Sequence, residues 1–180
     1  METYIALLRS INVSGQKKVP MADLRKMLDT LEFQKVKTYI QSGNIVFDST
    51  ENDIDVLEEK IRSRIQSTFG FDVPVLIKSK EEFERILQQN PYTDPEAIEK
   101  KQVYFVLLKK APEMQLAEVF NAESYENEAF FITEACVYLC CKAGYGKAKL
   151  DNNRIERKLK VEATTRNFRT MVKLLEMATK

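Results

Sequence analysis

No histidine occurs among the 180 residues of this chain. Without an imidazole group, the chain has no Ser-His or Cys-His nucleophile pair and no histidine metal site. It also has no side chain whose unperturbed pKa lies near neutrality. Most familiar hydrolase designs are thereby excluded. Any catalysis would depend on carboxylate, lysine, tyrosine or cysteine groups, or on substrate positioning alone.

Long apolar runs and paired cysteines are also missing. The longest apolar pieces, such as residues 103–108, are far shorter than the roughly eighteen residues that span a bilayer. Arg9 interrupts the apolar opening before it reaches the length of a secretory signal. We therefore expect a cytoplasmic protein without membrane insertion. The three cysteines, Cys136, Cys140 and Cys141, have no C-x-x-C spacing, which favours buried free thiols, and no metal or cofactor is predicted.

Hydrophobic periodicity divides residues 1–90 into seven elements. Continuous or alternating apolar residues predict strands, whereas apolar residues three or four positions apart predict helices. Pro20 suits the first turn of a helix, and Ser79 with Glu82 has the spacing of a capping box. The predicted order is β-α-β-β-α-β-α, with strands at 4–11, 36–40, 45–47 and 73–77 and helices that begin near residues 20, 54 and 79.

The same order restarts after a segment rich in proline. Residues 90–95 contain two prolines and no apolar period, which is typical of a linker. Beyond them the pattern again predicts β-α-β-β-α-β-α. The strands are expected at 103–108, 129–133, 136–141 and 161–164, and the helices at 114–120, 150–159 and from 168 onwards.

Two copies of this order predict an α+β fold with two tandem ferredoxin-like subdomains. Each would be a βαββαβ unit plus an extra helix, with an antiparallel sheet backed by helices on one face. Residues 1–90 would form the first subdomain, residues 91–102 the linker and residues 103–180 the second subdomain. Because each sheet has one open face, the subdomains either pack these faces together or leave a groove, and ligands favour such grooves.

Polar residues interrupt the apolar strands of the first half at two places. Arg9 lies on an apolar strand, where a guanidinium must be paired or solvated. Asn12 opens a loop that also carries Gly15 and two lysines but lacks the spacing of a P-loop. The segment between the second and third strands has side chains that suit either a ligand or an ordinary hairpin turn: Tyr39, Gln41, Ser42 and Asn44.

A basic segment precedes the last helix of the second half. Thr165 is a candidate N-cap beside Arg166 and Asn167, and a helix N-terminus attracts anions. An ordinary cap beside a solvated arginine is the alternative. Residues 142–180, which include Lys149, carry 11 basic and 4 acidic side chains, although the whole chain has a net charge of +1. This split indicates an anionic partner or complementary packing between the halves.

Four segments carry recognisable motifs: residues 4–13, 19–25, 38–47 and 164–167. They resemble a widespread bacterial family known only as domain of unknown function 1697. The resemblance implies two ferredoxin-like subdomains, but it assigns no activity. It also raises the expectation that the polar side chains named above, which lie in these motifs, form one site. The family usually has glycine where this chain has Ser10, Ser14 and Glu32, and tryptophan where it has Phe168.

The leading hypothesis is that the protein binds a small anionic or phosphorylated ligand near the junction of the subdomains. Whether it is also an enzyme is left open. Arg9, Lys149 and Arg166 would supply positive charge, and the neutral polar side chains would orient the ligand. One alternative is a nucleic-acid-binding module, since RNA-recognition domains have the same element order. Another is a non-enzymatic dimerisation module in which the strands at 129–133 and 136–141 cover a partner. The sequence indicates no oligomeric state.

Overall fold

The computed structural model of this protein describes residues 1–180 and contains eight strands and seven α-helices. The strands form two four-stranded sheets in which all neighbouring strands are antiparallel. An α+β fold with antiparallel sheets is therefore confirmed. The chain divides into two compact units, which we call unit 1, residues 1–84 with 173–180, and unit 2, residues 85–172. The predicted linker at residues 91–102 stays a prediction.

Unit 1 contains a sheet with the strand order β2-β3-β1-β4. A core that includes Leu24, Phe47 and Ile61 packs between this sheet and two of the helices. The elements are β1 (Glu2–Leu8), α1 (Met21–Asp29), β2 (Gln34–Tyr39), β3 (Asn44–Ser49), α2 (Ile54–Phe69), β4 (Val75–Ser79) and the beginning of α3 (Lys80–Gln88).

Local sequence explains where α2 begins and ends. Leu57, Ile61 and Ile65 recur every fourth residue and are fully buried. The Asp53 side chain accepts hydrogen bonds from two backbone N–H groups of the first turn. Gly70 adopts a left-handed conformation directly after the last turn, which suits a residue without a Cβ atom.

Unit 2 repeats the arrangement with the strand order β6-β7-β5-β8. Its core includes Val106, Phe120, Leu139 and Ile155. The elements are α4 (Pro95–Glu99), β5 (Val103–Leu108), α5 (Met114–Asn121), β6 (Glu128–Ile132), β7 (Cys136–Cys141), α6 (Asn152–Leu159), β8 (Ala163–Asn167) and α7 (Phe168–Thr179), whose last residues belong to unit 1.

Two elements of the second half differ most from the sequence prediction. The helix α4 lies in the segment predicted as a linker, where the Asp94 side chain caps it and Pro95 occupies its first turn. Five residues are too few to show a helical period, so the pattern could not reveal it. Strand β8 continues to Asn167, three residues beyond the predicted end, because it pairs with β5 as far as Tyr104.

The three cysteines are free thiols, of which Cys136 and Cys141 are buried and Cys140 is partly buried. Burial raises the pKa of the Cys141 thiol to about 12. This thiol is therefore protonated and unreactive at neutral pH. None of the helices combines the length and the apolar character needed to cross a membrane.

Ser10, Ser14 and Glu32 have positive φ angles of 60°, 51° and 62°. This conformation is strained for residues with a Cβ atom and favours glycine. We expect Ser10→Gly, Ser14→Gly and Glu32→Gly each to raise the free energy of unfolding by about 0.5 to 1 kcal/mol. Urea denaturation measures this change. Ser63→Gly, inside α2, is the control and should lower stability by about 1 kcal/mol; equal losses in all four variants would contradict the explanation.

Candidate functional site

The turn between β2 and β3 is held by the fully buried Asn44. Its side-chain Nδ2 donates to the backbone oxygen of Tyr39 at 3.0 Å and to the Ser42 hydroxyl at 2.9 Å. The carbonyl of Gly43 accepts a 2.7 Å hydrogen bond from the backbone N–H of Leu8, at the end of β1. The turn is thereby joined to the start of the loop that follows β1.

Asn12 connects three parts of unit 1 through one amide group. Its Nδ2 donates to the backbone oxygens of Val19 at 3.0 Å and of Gln41 at 2.8 Å. Its Oδ1 accepts from the backbone N–H of Val19 at 2.8 Å. Both amide hydrogens and the amide oxygen are therefore used inside the chain. Asn12 shapes the surroundings of the turn and leaves no free donor for a ligand.

A surface pocket of about 560 Å³ lies where these parts meet. Lys18 and Gln41 are exposed at its rim, and the first turn of α1 forms another part of its wall. Pro20 precedes α1 and has no side-chain acceptor, so the residue before this helix does not cap its first N–H groups. The lining residues are Asn12, Gly15, Lys18, Val19, Pro20, Met21, Ala22 and Gln41.

The loop is also attached to the segment before β4. The Lys17 ammonium donates to the backbone oxygen of Asp72 at 2.7 Å. The Asp72 carboxylate forms two hydrogen bonds with the Arg62 guanidinium, both of 2.6 Å. These hydrogen bonds lower the pKa of the Asp72 carboxyl, which stays ionised at neutral pH. Both side chains are half exposed, so the pair fixes geometry more than it adds stability.

Arg9 and Tyr39 flank these polar groups and are half-buried. Arg9 directly follows β1, and its backbone N–H donates to the oxygen of Pro74 at 3.1 Å. Tyr39 is the last residue of β2, and its backbone oxygen accepts from Asn44. Unit 1 thus brings all six of its predicted site residues to one end of the sheet.

In unit 2, Thr165 belongs to a network around Asn152. The Thr165 hydroxyl donates to Oδ1 of Asn152 at 2.7 Å, and Nδ2 of Asn152 donates to the backbone oxygen of Ala163 at 3.1 Å. The backbone N–H of Asn152 donates to the Tyr145 hydroxyl at 3.1 Å. Burial raises the pKa of this hydroxyl, so Tyr145 remains a neutral hydrogen-bonding partner. The network joins the start of α6 to β8.

The expected threonine cap before the last helix is wrong. Because β8 extends through Asn167, Thr165 lies inside the strand, and Asn167 takes the capping position. Its Oδ1 accepts from the backbone N–H of Thr170 at 2.9 Å. Arg166 lies between them, and its Nη1 donates to the backbone oxygen of Thr165 at 2.9 Å. Desolvation lowers the pKa of Arg166 to about 10, so the guanidinium is still charged at neutral pH.

Lys149 lies at the surface before α6. Its backbone oxygen accepts a 3.2 Å hydrogen bond from Nη1 of Arg154. Its backbone N–H donates to the buried Glu128 carboxylate, which also accepts from the N–H of Leu150 at 3.2 Å. Asp151 caps α6 by accepting from the backbone N–H of Arg154 at 2.7 Å. The Lys149 ammonium itself is exposed.

Sequence reasoning did not select Asp72, Glu128 and Asn152 as organising residues. Each connects segments that lie close together only in the folded chain. Nothing in the local sequence of Glu128 or Asn152 marks them. The two-residue separation of Asp72 from Pro74, just before a buried strand, is the only signal near Asp72.

Two comparisons with known proteins give a match. A family model described as a protein of unknown function, DUF1697, matches residues 1–138. A solved structure described as the conserved bacterial protein SP0830 from Streptococcus pneumoniae is similar to this chain, with 26% sequence identity and a TM-score of 0.73. The match covers 100% of this chain and 99% of that one. No curated protein matches.

Proposed function

Because this chain belongs to DUF1697, a family of unknown function, we propose its function from its own geometry: it binds a small anionic or phosphorylated ligand. The proposed site is the pocket of unit 1 that is lined by Lys18, Gln41 and the start of α1. Neither the family description nor the similar structure supplies a ligand.

The observation that carries this proposal is the amide of Asn12. It holds together the loop after β1, the segment before α1 at Val19 and the β2–β3 turn at Gln41, which is 29 positions from Asn12 in the chain. A pocket whose walls are fixed by internal hydrogen bonds loses little conformational freedom when a ligand binds. Asn12 is therefore proposed as a positioning residue, and Gln41 as the neutral group that contacts the ligand.

The charge of the pocket favours an anion. Lys18 is the one lining residue with a formal charge, and this residue is exposed. The first turn of α1 adds N–H donors and the positive end of a helix dipole, although it also carries the carboxylate of Asp23, which is not a lining residue. No carboxylate, cysteine or tyrosine lines the pocket beside Lys18, and we propose binding only.

The other residues that the sequence analysis selected for a site remain predictions. Lys149, Thr165, Arg166 and Asn167 belong to unit 2, and the pocket of unit 1 gives no argument for them. Arg9 directly precedes the loop of the pocket and stays a candidate for additional positive charge.

We also propose that both units are ferredoxin-like. The supporting observation is that both sheets have the same strand order, in which the first strand of each unit lies between the third and the fourth. This is the arrangement expected when two β-α-β crossovers interlock within one antiparallel sheet.

The test is a thermal-shift titration with inorganic phosphate, a nucleotide and a sugar phosphate. A ligand at 100 times its dissociation constant stabilises the folded state by about 2.7 kcal/mol. We expect a concentration-dependent shift and, for Lys18→Ala, binding weaker by about tenfold or more, because a charge-assisted hydrogen bond is lost. Gln41→Ala should also weaken binding.

Lys26→Ala is the matched control, because Lys26 is an exposed lysine on α1 that does not line the pocket. It should bind as tightly as the unaltered protein. The proposal fails if none of the three probes shifts the melting temperature, or if Lys18→Ala binds them with unchanged affinity.

A polyanion such as RNA is the second candidate. The exposed basic side chains in and around α6, Lys147, Lys149, Arg154, Arg157 and Lys160, favour it. The same titration with a short single-stranded RNA separates the two candidates. RNA binding that falls steeply with salt and depends on Arg154 and Arg157 but not on Lys18 would favour the nucleic-acid module.

A further inference from the structure

A second pocket, of about 650 Å³, lies in unit 2. Three parts of the chain line it: the end of α3, strand β6 and the short connection between β6 and β7. A pocket of this volume has room for a small molecule. The lining residues are Arg85, Gln89, Phe131, Thr133, Glu134 and Ala135.

Tyr138 of β7 joins two walls of this pocket. Its hydroxyl donates to the backbone oxygen of Ile86, in α3, at 2.7 Å, and its ring centroid lies 6.3 Å from that of Phe131, in β6. Thr133 fixes the third wall, because its N–H donates to the Cys136 oxygen at 2.9 Å and its hydroxyl accepts from Cys136 N–H at 3.1 Å. Walls that are fixed within the chain lose little conformational freedom when a ligand binds.

Arg85 and Glu134 bring opposite charges to the pocket but do not pair with each other. Both residues are exposed, and no hydrogen bond or ion pair joins either side chain to the rest of the chain. The same is true of the Gln89 amide. The guanidinium, the carboxylate and the amide are therefore all available to a ligand, unlike the amide of Asn12 in unit 1.

Phe131 gives the pocket an apolar surface. It has 49% of its surface exposed, although it is a large apolar residue in a strand. An aromatic ring that lines a pocket in this way favours an apolar group on the ligand, because contact between them removes apolar area from water. The pocket thus combines a cation, an anion and an aromatic ring.

We propose that this pocket binds a zwitterion with an apolar side chain, that is, a free α-amino acid such as phenylalanine. Arg85 binds its carboxylate, Glu134 binds its ammonium group, and Phe131 packs against its side chain. A ligand with only a negative charge is repelled by Glu134, and one with only a positive charge is repelled by Arg85, so the two residues together select a ligand that carries both charges. The site is separate from the pocket of unit 1 and does not depend on the proposed function.

Isothermal titration calorimetry with three related probes tests this selection. L-phenylalanine carries both charges, phenylpropionate lacks the ammonium group, and phenethylamine lacks the carboxylate. We expect L-phenylalanine to bind more tightly than either of the other probes by about tenfold or more, because each of them loses one charge-assisted interaction.

Two charge-removing variants assign the two ends of the ligand. Arg85→Gln should weaken the binding of L-phenylalanine and phenylpropionate by about tenfold or more and should not weaken that of phenethylamine. Glu134→Gln should weaken L-phenylalanine and phenethylamine and not phenylpropionate. Both variants should fold normally, because neither side chain has a partner within the chain.

Arg157→Gln and Glu126→Gln are the matched controls, because both residues are exposed in unit 2 and do not line the pocket. They should bind L-phenylalanine like the unaltered protein. The proposal is overturned if L-phenylalanine does not bind, or if it binds no more tightly than the singly charged probes. It is also overturned if Arg85→Gln and Glu134→Gln affect all three probes alike, or affect L-phenylalanine no more than the controls do.

Discussion

Replacing Gly43 with alanine is expected to lower the free energy of unfolding by about 3 kcal/mol or more. A Cβ atom at this position would lie 2.5 Å from Cβ of Leu8 and 2.9 Å from Cδ1 of Ile11. The φ angle of +79° adds strain for any residue other than glycine. Equilibrium denaturation in urea measures the loss.

The turn cannot relieve this clash by moving away. The carbonyl of Gly43 accepts the 2.7 Å hydrogen bond from Leu8 N–H, and Leu8 is fully buried in the core of unit 1. A shift of the turn would break this bond and disturb the Asn44 hydrogen bonds beside it. The Cβ atom of Leu8 is attached directly to the backbone of β1, so it has no freedom to rotate away.

Gly15→Ala and Gly70→Ala are the controls for Gly43→Ala. Both glycines have positive φ angles, of +74° and +83°, but an added Cβ atom would meet nothing within 4 Å. They should therefore lose only the conformational part, about 1 kcal/mol. If all three variants lose the same free energy, the close approach to Leu8 has no energetic effect and our explanation is wrong.

Asn12→Asp is expected to cost about 2 to 4 kcal/mol at neutral pH, more than most polar substitutions in a loop. The carboxylate would keep the acceptor for Val19 N–H. However, it would place a charged oxygen where Nδ2 now donates to the carbonyls of Val19 and Gln41. Two favourable contacts would become repulsive. Thermal and urea unfolding measure the difference.

Asn52→Ala, at an exposed asparagine of the same unit, is the comparison and should stay within about 0.5 kcal/mol of the unaltered protein. Asn12→Asp should also bind phosphate more weakly at temperatures where it is still folded, since the walls of the pocket are no longer held together. An Asn12→Asp variant as stable as Asn52→Ala would contradict the positioning role.

Much of the fold follows from local sequence patterns. The bounds of β5 and β7 agree with the prediction, because continuous apolar residues between polar flanks leave no doubt about a buried strand. One half of the predicted capping box forms: the Ser79 hydroxyl accepts from Glu82 N–H at 3.2 Å, directly before α3, whereas the Glu82 carboxylate pairs with the Lys78 ammonium. In contrast, β8 contains the polar residues Thr165, Arg166 and Asn167, whose extended conformation depends on pairing with β5.

The sequence selects residues that lie together in the fold, but it does not assign their chemistry. Asn12 and Gln41 were both selected as ligand contacts, and the structure brings them together. Yet Asn12 and Asn44 use their amides within the chain, which no pattern of residue types reveals. Lys18 is one of the two lysines in the loop that follows Asn12, and it is the exposed, positively charged residue that lines the pocket.

The sequence by itself determined that this protein has no imidazole chemistry, that it alternates helices and antiparallel strands, and that two polar segments lie beside its apolar strands. Tertiary structure decided what these segments do. Hydrogen-bond partners separated by 29 residues, as for Asn12 and Gln41, depend on where the strands pair and on how the loop turns back. Local periodicity records whether a side chain is buried, but the atom that receives its hydrogen bond is set only when the chain has folded.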